Sequence, residues 1–137
     1  MTNKTARGRG TIWAGAIVAT ATALLGGLTA APAQAWYDNL EACKNAYGYE
    51  HYLGWDIPTV VVRKGASGVC VREIQEDLLE VGAVRSEDQP GFVDGVFGPK
   101  TYNAVVNFQN RTSVQGGADG VVGRYTWHSL IAHVYFE

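Results

Sequence analysis

The fold is decided by the stretch Asp94-Gly95-Val96-Phe97-Gly98-Pro99-Lys100-Thr101-Tyr102, which returns 25 residues later as Asp119-Gly120-Val121-Val122-Gly123-Arg124-Tyr125-Thr126-Trp127. Each copy reads Asp-Gly-Val-apolar-Gly, then two variable residues, Thr and an aromatic residue. Asp-Gly predicts a tight turn, because Gly accepts a positive φ and the Asp carboxylate accepts backbone N–H bonds. Pro99 suits the first position of a helix. The repeat therefore predicts two helices, each preceded by its own turn.

Working outward from the repeat, the apolar spacing predicts three helices. The first covers residues 68–81, with Ser67 as N-cap and Gly82 just past the end. The second covers residues 99–110 and the third covers residues 124–134. Spacings of three and four select the positions of the second and third helices that face the core, which are Tyr102, Val105, Phe108, Trp127, Leu130 and Ile131.

Acidic residues occupy the other positions of the first helix, namely Glu73, Glu76, Asp77 and Glu80. They have two interpretations, as catalytic carboxylates or as a solvated helix face. Charges opposite an apolar stripe are typical of a solvated face. We therefore expect these four side chains to lie in water.

Residues 1–35 have the layout of a secretory signal peptide. Lys4, Arg7 and Arg9 precede an uncharged stretch at residues 11–31, and Ala31-Pro32-Ala33-Gln34-Ala35 provides an A-x-A cleavage site. The alternative is an uncleaved anchor, because the apolar run is long enough to span a bilayer. Gly26-Gly27, Pro32 and the Ala-rich end favour cleavage, which predicts a secreted protein with no membrane contact afterwards.

Charge and cysteine content restrict the partners. The chain has 11 Lys and Arg against 13 Asp and Glu, and without residues 1–35 its formal charge is −5. An acidic body does not favour nucleic acid, since phosphate neutralisation needs clustered bases. Cys43 and Cys70 predict one disulfide in an exported domain. His51, His128 and His133 lack metal-motif spacing, so we expect no metal and no cofactor.

Residues 36–61 form a distinct aromatic-rich extension. Its rings are Trp36, Tyr37, Tyr47, Tyr49, Tyr52 and Trp55, and apolar spacing predicts a short helix over residues 39–47 followed by an extended run over residues 59–62. The rings are either a sugar-stacking platform or a lid packed on the core and held there by Cys43. The lid is favoured, because aromatic side chains are large hydrophobic groups.

The helices and turns, taken in chain order, resemble the peptidoglycan-binding domain type 1 family. The resemblance rests on Gly65, Gly68, Val71, Ile74, Gln75, Leu78 and Gly82, both Asp-Gly turns, Ala104, Val105, Phe108 and Gln109, and Leu130. It implies an all-α fold, a compact three-helix bundle at residues 62–134, and attachment to bacterial cell wall. The chain departs from the family at Ser113-Val114, where Gly-Leu is usual, and at the longer link formed by residues 115–118. We expect no catalytic domain to accompany the module.

Ligand contact is expected where aromatic faces and polar groups meet near the turns. The candidate peptidoglycan-binding residues are Asp94, Tyr102, Arg124, Tyr125 and Trp127. Aromatic surfaces with hydrogen-bonding tips suit the amides, hydroxyls and carboxylates of peptidoglycan. Gln75 and Gln109 are expected to bond loop backbone rather than ligand.

Catalytic motifs are not found in the sequence. It has no G-x-S-x-G or H-E-x-x-H, and a disulfide would consume the thiols needed for a Cys–His nucleophile. We expect a secreted, cell-wall-associated, monomeric module without enzyme activity. The alternatives are a secreted inhibitor or surface interaction protein built on the same bundle, and a minimal cell-wall hydrolase.

Overall fold

The computed structural model describes residues 33–136. In chain order its elements are helix α1 (Ala33–Tyr47), strands β1 (Tyr49–Tyr52) and β2 (Trp55–Pro58), helix α2 (Val69–Glu80), a 3₁₀ turn (Ser86–Asp88), helix α3 (Pro99–Thr112) and helix α4 (Arg124–Phe136). The prediction of a helical domain is confirmed in α2, α3 and α4, and α1 includes the helix expected in the extension. The all-α prediction is wrong in one respect, because residues 33–136 also contain a two-stranded sheet.

Helices α2, α3 and α4 begin and end within two residues of the predicted bounds. Their shared core is formed by side chains exposed by 1% or less, among them Ile74, Leu78, Val105, Phe108, Leu130 and Ile131. Pro99 is the first residue of α3, as predicted. Ser67 is not the N-cap of α2, because Gly68 holds that position with a φ of 120° and without a side-chain cap bond.

The predicted aromatic extension contains a β-hairpin that the sequence pattern did not reveal. Strands β1 and β2 pair antiparallel, with Tyr49 opposite Pro58 and Tyr52 opposite Trp55. Two residues, Leu53 and Gly54, connect them with φ values of 49° and 91°. Positive φ at both central positions is the pattern of a type I′ turn, whose twist matches that of the strands.

Helix α1 joins the extension to the bundle. It begins at Ala33 rather than at residue 39, and it packs on α2, where Cys43 and Cys70 form the predicted disulfide. The predicted signal peptide lies outside the described residues, except for residues 33–35, which belong to α1. Of the helices in residues 33–136, not one combines the length and apolar character needed to cross a membrane.

The expectation of a fully solvated acidic face on α2 is wrong. The Glu73 side chain is 0% exposed and Asp77 is also buried, because α1 packs against α2. Desolvation, followed by the charges of Asp77 and Glu76, raises the pKa of Glu73 to about 10; a hydrogen bond from Tyr135 and the charge of Lys44 oppose the shift without cancelling it. Burial also raises the pKa of Asp77 well above its usual range. The face that a three-helix bundle would leave wet is thus covered by the extension.

Candidate functional site

The first Asp-Gly turn is organised by Gln75, a buried residue of α2. Its Nε2 lies 2.9 Å from Asp94 Oδ1, 3.1 Å from Val96 O and 2.9 Å from Thr101 Oγ1. Its Oε1 accepts hydrogen bonds from the backbone N–H groups of Asp94 and Gly95 at 3.0 and 2.8 Å. One buried amide therefore fixes both the turn and the start of α3, which confirms that this glutamine bonds loop backbone.

The second turn repeats this arrangement around Gln109 of α3. Its Nε2 lies 3.1 Å from Asp119 Oδ1, 3.0 Å from Val121 O and 3.0 Å from Thr126 Oγ1, and its Oε1 accepts from Gly120 N at 2.9 Å. The sequence repeat thus corresponds to a repeated hydrogen-bonding pattern, in which each glutamine holds the turn that precedes the next helix.

Asp94, a candidate ligand residue, has a structural role in the first turn. Its Oδ1 accepts hydrogen bonds from Gln75 Nε2 and from Val96 N, both at 2.9 Å. These two bonds favour the carboxylate and lower the pKa of Asp94. Asp119 Oδ1 makes the corresponding bond to Val121 N at 2.9 Å. The two aspartates are therefore members of the scaffold.

Tyr102 links the start of α3 to the second turn. It was expected to face the core, yet it is partly exposed, and its ring lies directly against Gly120, where an added Cβ would collide with it. Lys64 Nζ lies 5.9 Å from the centre of the ring. Its exposure leaves Tyr102 available for contact, although it does not line either depression described below.

Trp127 does not belong to a ligand-contacting surface. It is 0% exposed, and its Nε1 donates a hydrogen bond of 2.8 Å to Val60 O. The prediction that it faces the core is confirmed. Its expected contact with ligand is wrong, because its ring is enclosed and its one polar atom has a backbone partner.

Arg124 and Tyr125 are both exposed at the start of α4, but the hairpin engages them. Arg124 Nε and Nη2 donate to the two carboxylate oxygens of Glu50 at 2.9 and 2.7 Å, which raises the pKa of Arg124. The guanidinium also lies 5.0 Å from the ring centre of Tyr52. The ring centres of Tyr52 and Tyr125 are 6.2 Å apart. The extension thus supplies an ion-pair partner and an aromatic neighbour to the candidate residues.

These contacts border two adjoining depressions, which we call the α4 cleft. One, of about 110 Å³, lies between the second turn and the link at residues 115–117; the other, of about 190 Å³, lies between that link and the hairpin. Gln115 and Tyr125 line both. The remaining residues of the hairpin side are Tyr52, Leu53, Val114, His128 and Ser129. The cleft therefore combines the repeated turn with the hairpin, which the chain adds to the family pattern, and with the lengthened link, where the chain departs from that pattern.

Larger grooves lie elsewhere on the described surface. One, of about 540 Å³, runs between α3 and residues 83–88, and a second, of about 420 Å³, lies between α1, the hairpin and α4. A third, of about 500 Å³, is lined by Glu80, Val81, Arg111, His133 and Val134. None of the three is lined by a candidate ligand residue. Within residues 33–136 no group of three or more His, Cys, Asp or Glu side chains is arranged to hold a metal ion.

The cleft contains functional candidates that the sequence did not indicate as ligand-binding residues, namely Leu53, Gln115 and His128. It also contains Tyr52, which the sequence placed only in the less favoured sugar-stacking interpretation of the extension. Residues 49–58 alternate only weakly, and Leu-Gly is not one of the dipeptides that signal a two-residue hairpin. The clearest available signal was the longer link, since Gln115, Gly116 and Gly117 all line the cleft. Of the five candidates, the structure brings Arg124 and Tyr125 together in the cleft, while Tyr102 contacts Gly120 of the second turn without lining the cleft.

Comparison with known proteins supplies relatives for part of the chain. An uncharacterized protein in the bpoA1 3' region of Kitasatospora aureofaciens is 36% identical over 77 residues, which are 56% of this chain and 60% of that protein. A peptidoglycan-binding protein from Clostridioides difficile, solved in complex with glutamine hydroxamate, is 42% identical with a TM-score of 0.44, over 53% of this chain and 40% of that one. The SleB N-terminal domain is 35% identical with a TM-score of 0.49, over 57% of this chain and 97% of that one.

The family comparison covers both glutamine-anchored turns, helices α2 and α3 and the first part of α4. Residues 67–130 match the family described as "Putative peptidoglycan binding domain". The match begins at the residue before the N-cap of α2 and ends inside α4, so that α1, the hairpin and the final turns of α4 lie outside it. Through residues 67–130 the chain belongs to this family of peptidoglycan-binding domains.

Proposed function

We propose that this protein is an exported, non-catalytic module that adheres to bacterial peptidoglycan through the α4 cleft. The observation that carries the proposal is the family match over residues 67–130, because it includes the Gln109-anchored turn on which the cleft opens. The disulfide between Cys43 and Cys70 supports export, since such bonds persist in oxidising compartments.

The cleft is suited to a shallow, partly polar ligand. Gln109 holds the second turn through four hydrogen bonds, so this wall of the cleft is preorganised before ligand arrives. The rings of Tyr125 and Tyr52 supply apolar contact area, while Gln115 and His128 supply hydrogen-bonding groups. A shallow cleft buries little ligand, so the affinity of one site is modest, and the wall compensates by presenting many copies of the ligand.

A binding role fits the state of the carboxylates near the cleft better than a hydrolytic one. Asp119 Oδ1 is held by Gln109 and by Val121 N, and both oxygens of Glu50 are bound to Arg124. A general acid or base must reach the proton that it transfers. Both carboxylates instead have structural partners, which supports a cleft that holds its ligand without cleaving it.

A matched pair of tyrosine variants tests the proposal. Tyr125→Ala removes a cleft ring, and we expect it to reduce co-sedimentation with washed peptidoglycan about tenfold, as loss of a central aromatic contact does. Tyr47→Ala is the control, because Tyr47 is more exposed and lies on α1, outside the cleft. Both variants should keep the wild-type circular dichroism spectrum. Equal sedimentation of the two variants would show that the cleft is not the binding surface.

A further inference from the structure

The tip of the hairpin carries an unfavourable residue. Leu53 is the first central residue of the type I′ turn and has a φ of 49°. This position favours Asn, Asp or Gly, because a branched side chain in the left-handed region crowds its own backbone. The Leu53 side chain is also 68% exposed, so the core gains little from it. An Asn-Gly turn would form the same hairpin with less strain.

The strained residue borders the α4 cleft. Leu53 lines the depression of about 190 Å³, and Val114 lines it too. Val114 directly follows Ser113, which ends α3 with a φ of 51°. Within residues 33–136, Leu53 and Ser113 are the non-glycine residues with positive φ. Strained backbone of this kind is concentrated at functional sites, where the strain is retained because it places a side chain.

The chemistry of this depression is that of a small apolar site with a polar rim. Leu53 and Val114 offer aliphatic contact, and Tyr52 and Tyr125 offer aromatic contact. The His128 ring stands nearly perpendicular to that of Tyr52, with the ring centres 5.4 Å apart. Gln115 supplies an amide that can donate and accept. A methyl group next to an amide matches both features, because the methyl packs on the aliphatic wall while the amide bonds the rim.

We propose that Leu53 is a specificity-determining residue that packs against a methyl-bearing amide group of the ligand. This inference rests on the proposed function, since peptidoglycan carries such groups. They occur as the N-acetyl groups of its sugars and as the alanyl residues of its stem peptides. The strained leucine is thus retained for ligand contact and not for folding.

Substitutions that suit the turn separate the two roles of Leu53. We expect Leu53→Asn to raise the melting temperature by about 4–8 °C, because it relieves strain, and to weaken wall co-sedimentation about threefold to tenfold, because it removes apolar contact. Leu53→Gly should weaken binding equally, which guards against new hydrogen bonds made by the asparagine. Val61→Thr is the control, because it removes an exposed apolar residue outside the cleft.

Soluble probes identify the methyl group. A tetramer of N-acetylglucosamine, its fully deacetylated counterpart and a peptide ending in two D-alanines are titrated against the wild-type protein and Leu53→Asn, with tyrosine and tryptophan fluorescence as the readout. The proposal requires that one acylated probe bind the wild-type protein at least threefold more tightly than the variant. Preference for the tetramer identifies the N-acetyl group as the ligand, and preference for the peptide identifies the alanyl group.

The outcomes distinguish this inference from the function on which it rests. If wild-type protein sediments with the wall and both Leu53 variants sediment equally well, the role of Leu53 is wrong and the proposed function stands. A lower melting temperature for Leu53→Asn would also overturn the inference, because Leu53 would then be a folding residue. If wild-type protein stays in the supernatant, the proposed function fails and this inference fails with it.

Discussion

The two glutamine-anchored turns are built alike but lie in different surroundings. In the first, Gln75 holds Asp94 and Thr101, and neighbouring backbone comes from residues 65–68, which bond Gly95 and Phe97. In the second, Gln109 holds Asp119 and Thr126, and Val122 pairs with Val62. Only the second turn is followed by residues that contact the hairpin. Arg124 pairs with Glu50, and the ring of Tyr125 lies against that of Tyr52.

This difference separates scaffold from binding surface. Because the glutamines of the two turns share four corresponding hydrogen bonds, the repeated motif explains how α3 and α4 start but does not explain where a ligand binds. The α4 cleft exists where a turn meets the hairpin and the lengthened link, both of which lie outside the repeat. The residues that distinguish the turns are therefore better guides to function than the residues they share.

The largest expected effect comes from releasing the extension. The double variant Cys43→Ala/Cys70→Ala removes a disulfide with a sequence separation of 27 residues, and we expect a loss of about 3–4 kcal/mol in the free energy of unfolding. Urea denaturation measures this loss. Hydrogen exchange should also show faster exchange near Tyr125 than near Thr101, because the hairpin contacts only the former. Equal acceleration at both turns would contradict the contrast between them.

Matched glycine substitutions compare the turns directly. Gly95 and Gly120 have φ values of 75° and 76°, so alanine costs about 1 kcal/mol at either position through backbone strain. At Gly95 the added Cβ would have ordinary contacts of 3.6–3.7 Å, but at Gly120 it would collide with the Tyr102 ring. We expect Gly120→Ala to cost about 2–3 kcal/mol in total, measured by denaturation. The double variant Gly120→Ala/Tyr102→Ala should recover the excess, and failure to recover it would exclude the ring as the cause.

A smaller effect follows from the acids buried under the extension. The pKa of Glu73 is about 10 in the folded protein against an ordinary value of 4.5, so the folded state retains a proton that the unfolded chain loses. The free energy of unfolding should therefore fall as pH rises between those values. Glu73→Gln should flatten this slope, although Asp77 leaves part of it, and stabilise the protein at pH 8 by about 1–2 kcal/mol.

The control for this pH dependence is Glu87→Gln, because Glu87 is exposed in the 3₁₀ turn. It should leave the slope unchanged. Stability that rises with pH in the wild-type protein, or a slope that Glu73→Gln does not alter, would show that the buried carboxyl is not protonated in the folded state.

The parts of the fold that could be predicted are those whose sequence signal is local. Helices α2 to α4 could be predicted because their apolar spacing, Pro99 and the Asp-Gly turns are local features that agree with the tertiary structure. The burial of Glu73 and Asp77 could not, because it depends on α1 crossing a helix face that is polar in sequence. The hairpin was missed because its turn uses Leu53 where the usual signals require Asn, Asp or Gly.

The candidate site likewise has parts that the local sequence predicts and parts that it does not. The exposed positions of Arg124 and Tyr125 could be predicted because these residues follow the second Asp-Gly turn, where a helix starts at the surface. Their contact with ligand stays a prediction. The enclosed position of Trp127 was predicted by its spacing with Leu130 and Ile131. That spacing is a better guide to the burial of Trp127 than the aromatic character of its side chain. The partners from the hairpin, Glu50 and Tyr52, lie more than 70 residues away from Arg124 in sequence, and a local pattern carries no information about such a pairing.

Ligand is expected to bind at the second turn and not at the first, and chemical-shift mapping with soluble peptidoglycan fragments tests this most directly. Amide resonances of ¹⁵N-labelled protein would be followed while muropeptides are added. We expect saturable shifts at Leu53, Gln115 and Tyr125, with Gly95 and Thr101 unchanged. Shifts centred on the first turn, or an unchanged spectrum at saturating muropeptide, would contradict it.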